Sequence, residues 1–170
     1  LSFYQFMKVI ASRTGQEINL AGIAKDCGIS ANTAKSWLSV LEVSGIVYML
    51  PSYSNNITKR VTKHPKLYFL DTGLCAYLTD WTSPKTLSSG AMRGAIFETF
   101  VLGEILKSYF NNGRECQIYY YRDSDGAEID FVISVDGMLH PIEVKVADNT
   151  KAKSLHLFCN RYTPKMAFKS

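Results

Sequence analysis

The stretch from Glu128 to Val146 places Glu128, Asp130, Glu143 and Lys145 among runs of β-branched and apolar residues, with Asp136-Gly137 between the two runs. A half-buried carboxylate needs a partner, because an ionised group left alone in low dielectric costs several kcal/mol or takes up a proton. A divalent cation suits Asp plus Glu: Mg²⁺ (or Mn²⁺) favours one or two carboxylates with waters and phosphate oxygens over a closed protein cage. Lys145 follows Glu143 by two residues, where an ammonium holds a water or offsets charge growing on a phosphate. The chemistry these residues suit is phosphodiester hydrolysis. A plainer reading stands beside it, in which Glu143-Val-Lys145 is an ion pair on a strand and carries no metal.

Two strands around an Asp-Gly dipeptide are expected to form a hairpin with a type I′ turn. Side chains alternate along a strand, so Glu128, Asp130 and Val132 are expected on one side of the first strand. Glu143 and Lys145 are expected on one side of the second. A third acid comes from residues 93 to 109, whose apolar residues recur at helical spacing. Glu98 stands in line with Val101, Leu102, Ile105 and Tyr109 and is expected to point inward. Between helix and hairpin, Gln117–Tyr121 reads as a strand and 122–126 as a polar turn, where Arg122 reaches a phosphate or clamps an acid. After Lys145, residues 151–162 read as a helix and 165–168 as a strand, with Lys151, Lys153 and His156 on the helix near the site.

The order helix-Glu98, strand-Asp130, hairpin, strand-Glu143-x-Lys145 resembles the PD-(D/E)-x-K nuclease superfamily, the restriction-endonuclease-like fold. Gly94-Ala-Ile-Phe-Glu98, Tyr120-Tyr-Arg-Asp123, Glu128-Ile-Asp130-Phe and Pro141-Ile-Glu-Val-Lys145 are similar, more closely, to the C-terminal region of prokaryotic AAA+-type ATPases of unassigned role. Ile129 stands where the motif has its proline. The resemblance implies a small central mixed β-sheet, metal on Asp130, Glu143 and Glu98, and Lys145 acting on the water or the transition state. It also implies an ATPase module, expected upstream because no G-x-x-x-x-G-K-[ST] occurs here. An inactive scaffold, serving as a DNA-binding or regulatory module of such an ATPase, is the alternative.

The N-terminal half supplies a candidate DNA reader. Asn19 caps a short helix that ends at Gly28, Ser30 caps the next, and that one carries Ala34, Trp37, Leu38 and Leu41 toward the core before stopping at Gly45. Helix, short turn, helix is a helix-turn-helix pattern. Asn32, Thr33, Lys35, Ser36 and Ser39 are expected on the outward face, suited to a major groove. Ile46–Leu50 and Leu67–Leu70 read as the strands of a wing. The loop between them, 51–66, carries Lys59, Arg60, Lys63, His64 and Lys66 and no acid, a composition that suits phosphate contact. Asp71 caps a further short helix, and Thr79–Ala91 reads as a linker.

The expected class is therefore mixed, α+β or α/β: a winged helix-turn-helix over residues 1–84 and a restriction-endonuclease-like domain over 85–170. The 170 residues carry a net charge of +4, with 46% hydrophobic and 20% charged residues, enough apolar content for one or two small cores. No apolar run is long enough for a membrane span, and no signal-peptide pattern is visible. Four scattered cysteines without a C-x-x-C pair fit reduced thiols in a cytoplasmic protein, and the lack of a suitable histidine pattern gives Ser-His-Asp or zinc chemistry no support. The chain opens at Leu1 inside a helical pattern and is expected to be part of a longer protein. Nucleic acid, double-stranded DNA, is the expected partner.

Overall fold

A computed structural model describes residues 2–56, 64–146, 153–162 and the backbone of 168–169. The class is mixed α and β, as the sequence implies. Two compact units divide the chain: residues 1–49 with 64–100, and residues 50–63 with 101–170.

The first unit begins with α1 (Phe3–Ala11), closed at its start by a Ser2/Gln5 capping box. The short strand β1 (Gln16–Glu17) leads to α2 (Leu20–Asp26) and α3 (Ala31–Val43). Asn19 accepts from the Gly22 N–H at 3.0 Å and Ser30 from that of Thr33 at 3.0 Å, so both expected caps are in place. Gly28 holds φ +60 at the turn between these helices, a conformation costly for any residue with a Cβ. Strands β2 (Val47–Leu50) and β3 (Lys66–Phe69) complete a sheet of order β1-β3-β2, whose edge strand β1 the sequence reading did not foresee. Phe6, Ile10, Ala34, Leu38, Leu41, Leu67 and Phe69 form the core, with Trp37 half-buried against Phe3 and Phe6 at ring-centroid separations of 5.4 Å.

The expected linker is ordered instead. Asp71 caps α4 (Thr72–Leu78), and Ser83 caps α5 (Pro84–Ser89), which starts on a proline as first helical turns often do. Trp81, Leu87 and Met92 pack on the first core. These apolar residues, spaced among Ser, Thr and Pro, anchor a segment whose polar composition suggested a free connection. The chain is divided after Phe100, whereas the sequence pattern places a boundary near residue 85. The helix α6 (Arg93–Phe110) contributes residues to both.

In the second unit β4 (Ile118–Arg122), β5 (Glu128–Val135), β6 (Met138–Glu143) and β7 (Phe168–Lys169) lie in that order, antiparallel except for the parallel pair β6–β7. The turn between β5 and β6 is the expected one, with φ of +51 at Asp136 and +75 at Gly137. Residues 51–53, assigned by sequence to the wing loop, belong here: Tyr120 donates its N–H to the Pro51 carbonyl at 3.0 Å, and the Tyr53 N–H returns to the Tyr120 carbonyl at 2.6 Å. Tyr53, Tyr121, Ile129, Val132 and Leu139 form a core with Leu155 and Phe158 of α7 (Lys153–Tyr162). Lys59, Arg60 and Lys63 of the expected wing, Lys151, and the start of the 165–168 strand lie outside the described residues.

Candidate functional site

Asp130 sits at an irregularity in β5. The β4–β5 register pairs Tyr119 with Val132 but Tyr121 with Ile129, so three steps along β5 face two along β4. This is a bulge at Asp130–Phe131, and bulges re-aim side chains beside functional sites. Its effect is visible in packing: Ile129 and Val132, which strict alternation puts on opposite faces, enter the same core cluster. The expectation that Val132 shares the side of Glu128 and Asp130 is corrected by this extra residue. The Asp130 carboxylate accepts the Val144 N–H at 2.7 Å, which ties it to the backbone between Glu143 and Lys145.

Glu143 closes β6 and is 5% exposed. Its Oε1 stands 2.9 Å from Lys145 Nζ, while its Oε2 is buried with no hydrogen-bond partner among the described residues. A buried carboxylate oxygen without a donor is rare and costly. The structure thus joins three of the four expected residues, Asp130, Glu143 and Lys145, through Val144. The donor set fits an open Mg²⁺ or Mn²⁺ position, with two carboxylates, one orphaned oxygen and a neighbouring ammonium. Among the described residues no three of His, Cys, Asp and Glu group as a metal cage.

Glu98 is held elsewhere. The fully buried residues of α6 are Ile96, Thr99, Leu102 and Leu106, so Glu98 lies at the edge of the buried stripe and not along its middle. Within the first unit its Oε1 receives the Tyr68 hydroxyl and faces Lys66 Nζ at 3.7 Å. Lys66, expected as a solvated loop cation, is a β3 residue only 4% exposed. A buried ammonium requires a counter-ion, and Glu98 supplies it. Nearby, the Thr14 and Thr99 hydroxyls meet at 2.9 Å, and Thr14 Oγ1 accepts the Phe69 N–H. A lysine two residues before a tyrosine on a strand of otherwise apolar residues was the sequence signal for this network.

On α3, Asn32, Lys35, Ser36 and Ser39 are exposed as expected. Thr33 is drawn back, its hydroxyl 2.8 Å from that of Ser30. Arg122 is exposed at the end of β4, opposite Glu128 in the register. Missed entirely was Arg161: its guanidinium donates to the Tyr121 hydroxyl at 2.7 Å and lies 3.5 Å from Asp123 Oδ2. Burial pushes the Tyr162 phenol up, so it stays protonated. Lys153 and His156 are exposed on α7.

Residues 1–85, half of the chain, match the family described as Domain of unknown function (DUF8612). The chain belongs to this family. Residues 93–169 are similar to a second, Domain of unknown function (DUF4143). Uncharacterised proteins of Mycobacterium bovis and Mycobacterium tuberculosis are each 29% identical over 137 residues, which is 81% of this chain and 30% of theirs. The chain therefore spans under a third of the length of the curated relatives it matches. No solved structure matches. The DUF4143 match contains Asp130, Glu143 and Lys145, and the DUF8612 match contains α3 and Lys66. Among the described residues no helix is long and apolar enough to cross a membrane.

Proposed function

We propose that this chain is a nucleic-acid-binding module with a Mg²⁺- or Mn²⁺-dependent centre for phosphodiester hydrolysis, of winged-helix plus restriction-endonuclease-like organisation. In this reading it works in the cytoplasm as the C-terminal part of a AAA+-type ATPase, with the DNA-binding portion in residues 1–84 and the nuclease-like portion in 85–170. The observation that carries the reading is the buried Oε2 of Glu143, without a hydrogen-bond partner among the described residues, beside Lys145 and tied through Val144 to Asp130. Asp130 and Glu143 are the residues to hold the ion, which when bound supplies Lewis-acid polarisation of a phosphoryl oxygen. The bulge sets the position of the Asp130 carboxylate, and the Val144 N–H holds it there. Lys145, half-buried, offsets negative charge on the phosphate.

Exposed Asn32, Lys35 and Ser36 on α3 support contact with double-stranded DNA, to which Lys59, Arg60 and Lys63 add phosphate contacts. A second reading, an inactive binding or regulatory module, is favoured by one observation: Lys145 already satisfies one Glu143 oxygen at 2.9 Å. Thermal melts of the wild type and Asp130→Asn, each with and without millimolar Mn²⁺, separate the two. The metal reading expects Mn²⁺ to raise the wild-type melting point, by about 2.7 kcal/mol of stability at a hundredfold excess over Kd, and to leave the Asn variant unmoved. A wild type indifferent to Mn²⁺, with a variant that melts clearly lower, leaves the binding module standing.

A further inference from the structure

The helix α6 buries Ile96, Thr99, Leu102 and Leu106 and turns its opposite face outward. On that face Arg93, Phe97, Phe100 and Glu104 recur at steps of four, three and four, the spacing of a coiled-coil seam, and they fall within about 60° of one another around the helix. Phe97 is 36% exposed and Phe100 48%, and neither belongs to the first core. A single exposed phenylalanine needs no partner, but two of them one turn apart on a seam form a continuous apolar strip. Arg93 and Glu104, both exposed, close the strip at its two ends with opposite charges.

The order along the seam is Arg-x-x-x-Phe-x-x-Phe-x-x-x-Glu, which read backwards keeps the rings in place and exchanges the charges. From this self-complementarity we infer that the seam is a docking surface for a second copy of this chain, laid antiparallel about a two-fold axis midway between Phe97 and Phe100. Each Phe97 then meets the Phe100 of the second copy, and each Arg93 its Glu104. A parallel copy sets Arg93 against Arg93 and Glu104 against Glu104, so charge selects the antiparallel arrangement. Among the described residues Arg93 makes no ion pair. The first turn of α6 also holds no acid, so an arriving carboxylate meets the positive end of the helix dipole as well as the guanidinium. Glu104 already pairs with Lys107 on its own helix, and a carboxylate has lone pairs enough for both cations. The contact is isologous and closes at two chains. A seam about 16 Å long falls short of the roughly 800 Å² per partner of a standard interface, so the dimer is a weak one. The inference is independent of the proposed function, since none of the four residues belongs to the metal centre or to the nucleic-acid surface.

Sedimentation velocity on the full chain, from about 1 to 500 µM, tests it, with the wild type expected to pass from monomer toward dimer across that range. Arg93→Glu and Glu104→Arg each place two like-charged pairs in the contact, one on either side of the axis, and each is expected to weaken dimerisation roughly tenfold. Both positions are exposed, so the fold is retained, which a thermal melt confirms. An equimolar mixture of the two variants restores both pairs in a heterodimer and should recover wild-type association. The double variant, with the charges exchanged within one chain, should recover it as a homodimer. A wild type that stays monomeric throughout overturns the inference, as do single variants that dimerise like the wild type. Single variants that lose association without regaining it in the mixture exclude the antiparallel two-fold pairing and overturn it as well.

Discussion

Glu98 and Glu143 are both acids at the edge of a core, and their surroundings differ in the one respect that matters for chemistry. Glu98 Oε1 takes the Tyr68 hydroxyl and faces buried Lys66, so its charge is spent holding α6 to β3. Glu143 has one oxygen on Lys145 and the other buried without a donor among the described residues. The first arrangement is closed, and the second leaves coordination capacity inside the protein. Sequence pattern makes both acids candidate metal residues, Glu143 as a holder and Glu98 as completing the shell; the partner of the last oxygen separates them.

The comparison breaks first at Glu98. Glu98→Ala removes the counter-ion of an ammonium that is 4% exposed, and is expected to cost about 3 kcal/mol or more in urea denaturation, with or without Mn²⁺. A loss under about 1 kcal/mol means that Lys66 does not depend on Glu98. Glu143→Gln tests the other side, because it neutralises a carboxylate with an unsatisfied oxygen. Its metal-free stability is expected within about 1 kcal/mol of wild type, and its response to Mn²⁺ should vanish. A Glu143→Gln protein that unfolds as readily as Glu98→Ala makes the two sites alike and removes the argument for a cation.

The smallest expected effect sharpens the contrast at high pH. Burial pushes the Cys75 thiol in the first core up to about 12 from 9.0, the neutral form being favoured where the residue is inaccessible. A folded-state value above the unfolded one gives stability that is complete below pH 9 and is lost as pH rises toward 12. Between pH 9 and 10 the decline amounts to about 1 kcal/mol, and Cys75→Ala should flatten it. An identical alkaline decline in both proteins assigns the effect to other groups.

Much of the local structure was legible because short-range rules govern it. Asn19, Ser30 and Asp71 act as helix caps, Gly28 and Gly45 adopt positive φ, and Asp136-Gly137 makes its turn, all on signals within a few residues. The pairing of Asp130, Glu143 and Lys145 came from the same hairpin. What escaped depends on distant partners: Lys66 reads as a loop cation until Glu98, 32 positions later, is seen beside it. Residues 51–53 read as wing until Tyr120 takes them as neighbours. The bulge at Asp130 has no residue signature at all, since its cause is the mismatch between two strands. Trp81 and Leu87 lay hidden in polar sequence that reads as linker.

The two-residue turn also sets an order in time. Asp130 and Glu143 are brought into one hairpin by a loop closure of minimal length, an event of microseconds, whereas β6 meets β7 only when Phe168 returns to lie opposite Ile142. Parallel pairing demands such a return. The two carboxylates thus share a hairpin that needs no distant residue, and their meeting is a local event in the life of the chain, available to an ion before the sheet around them is finished.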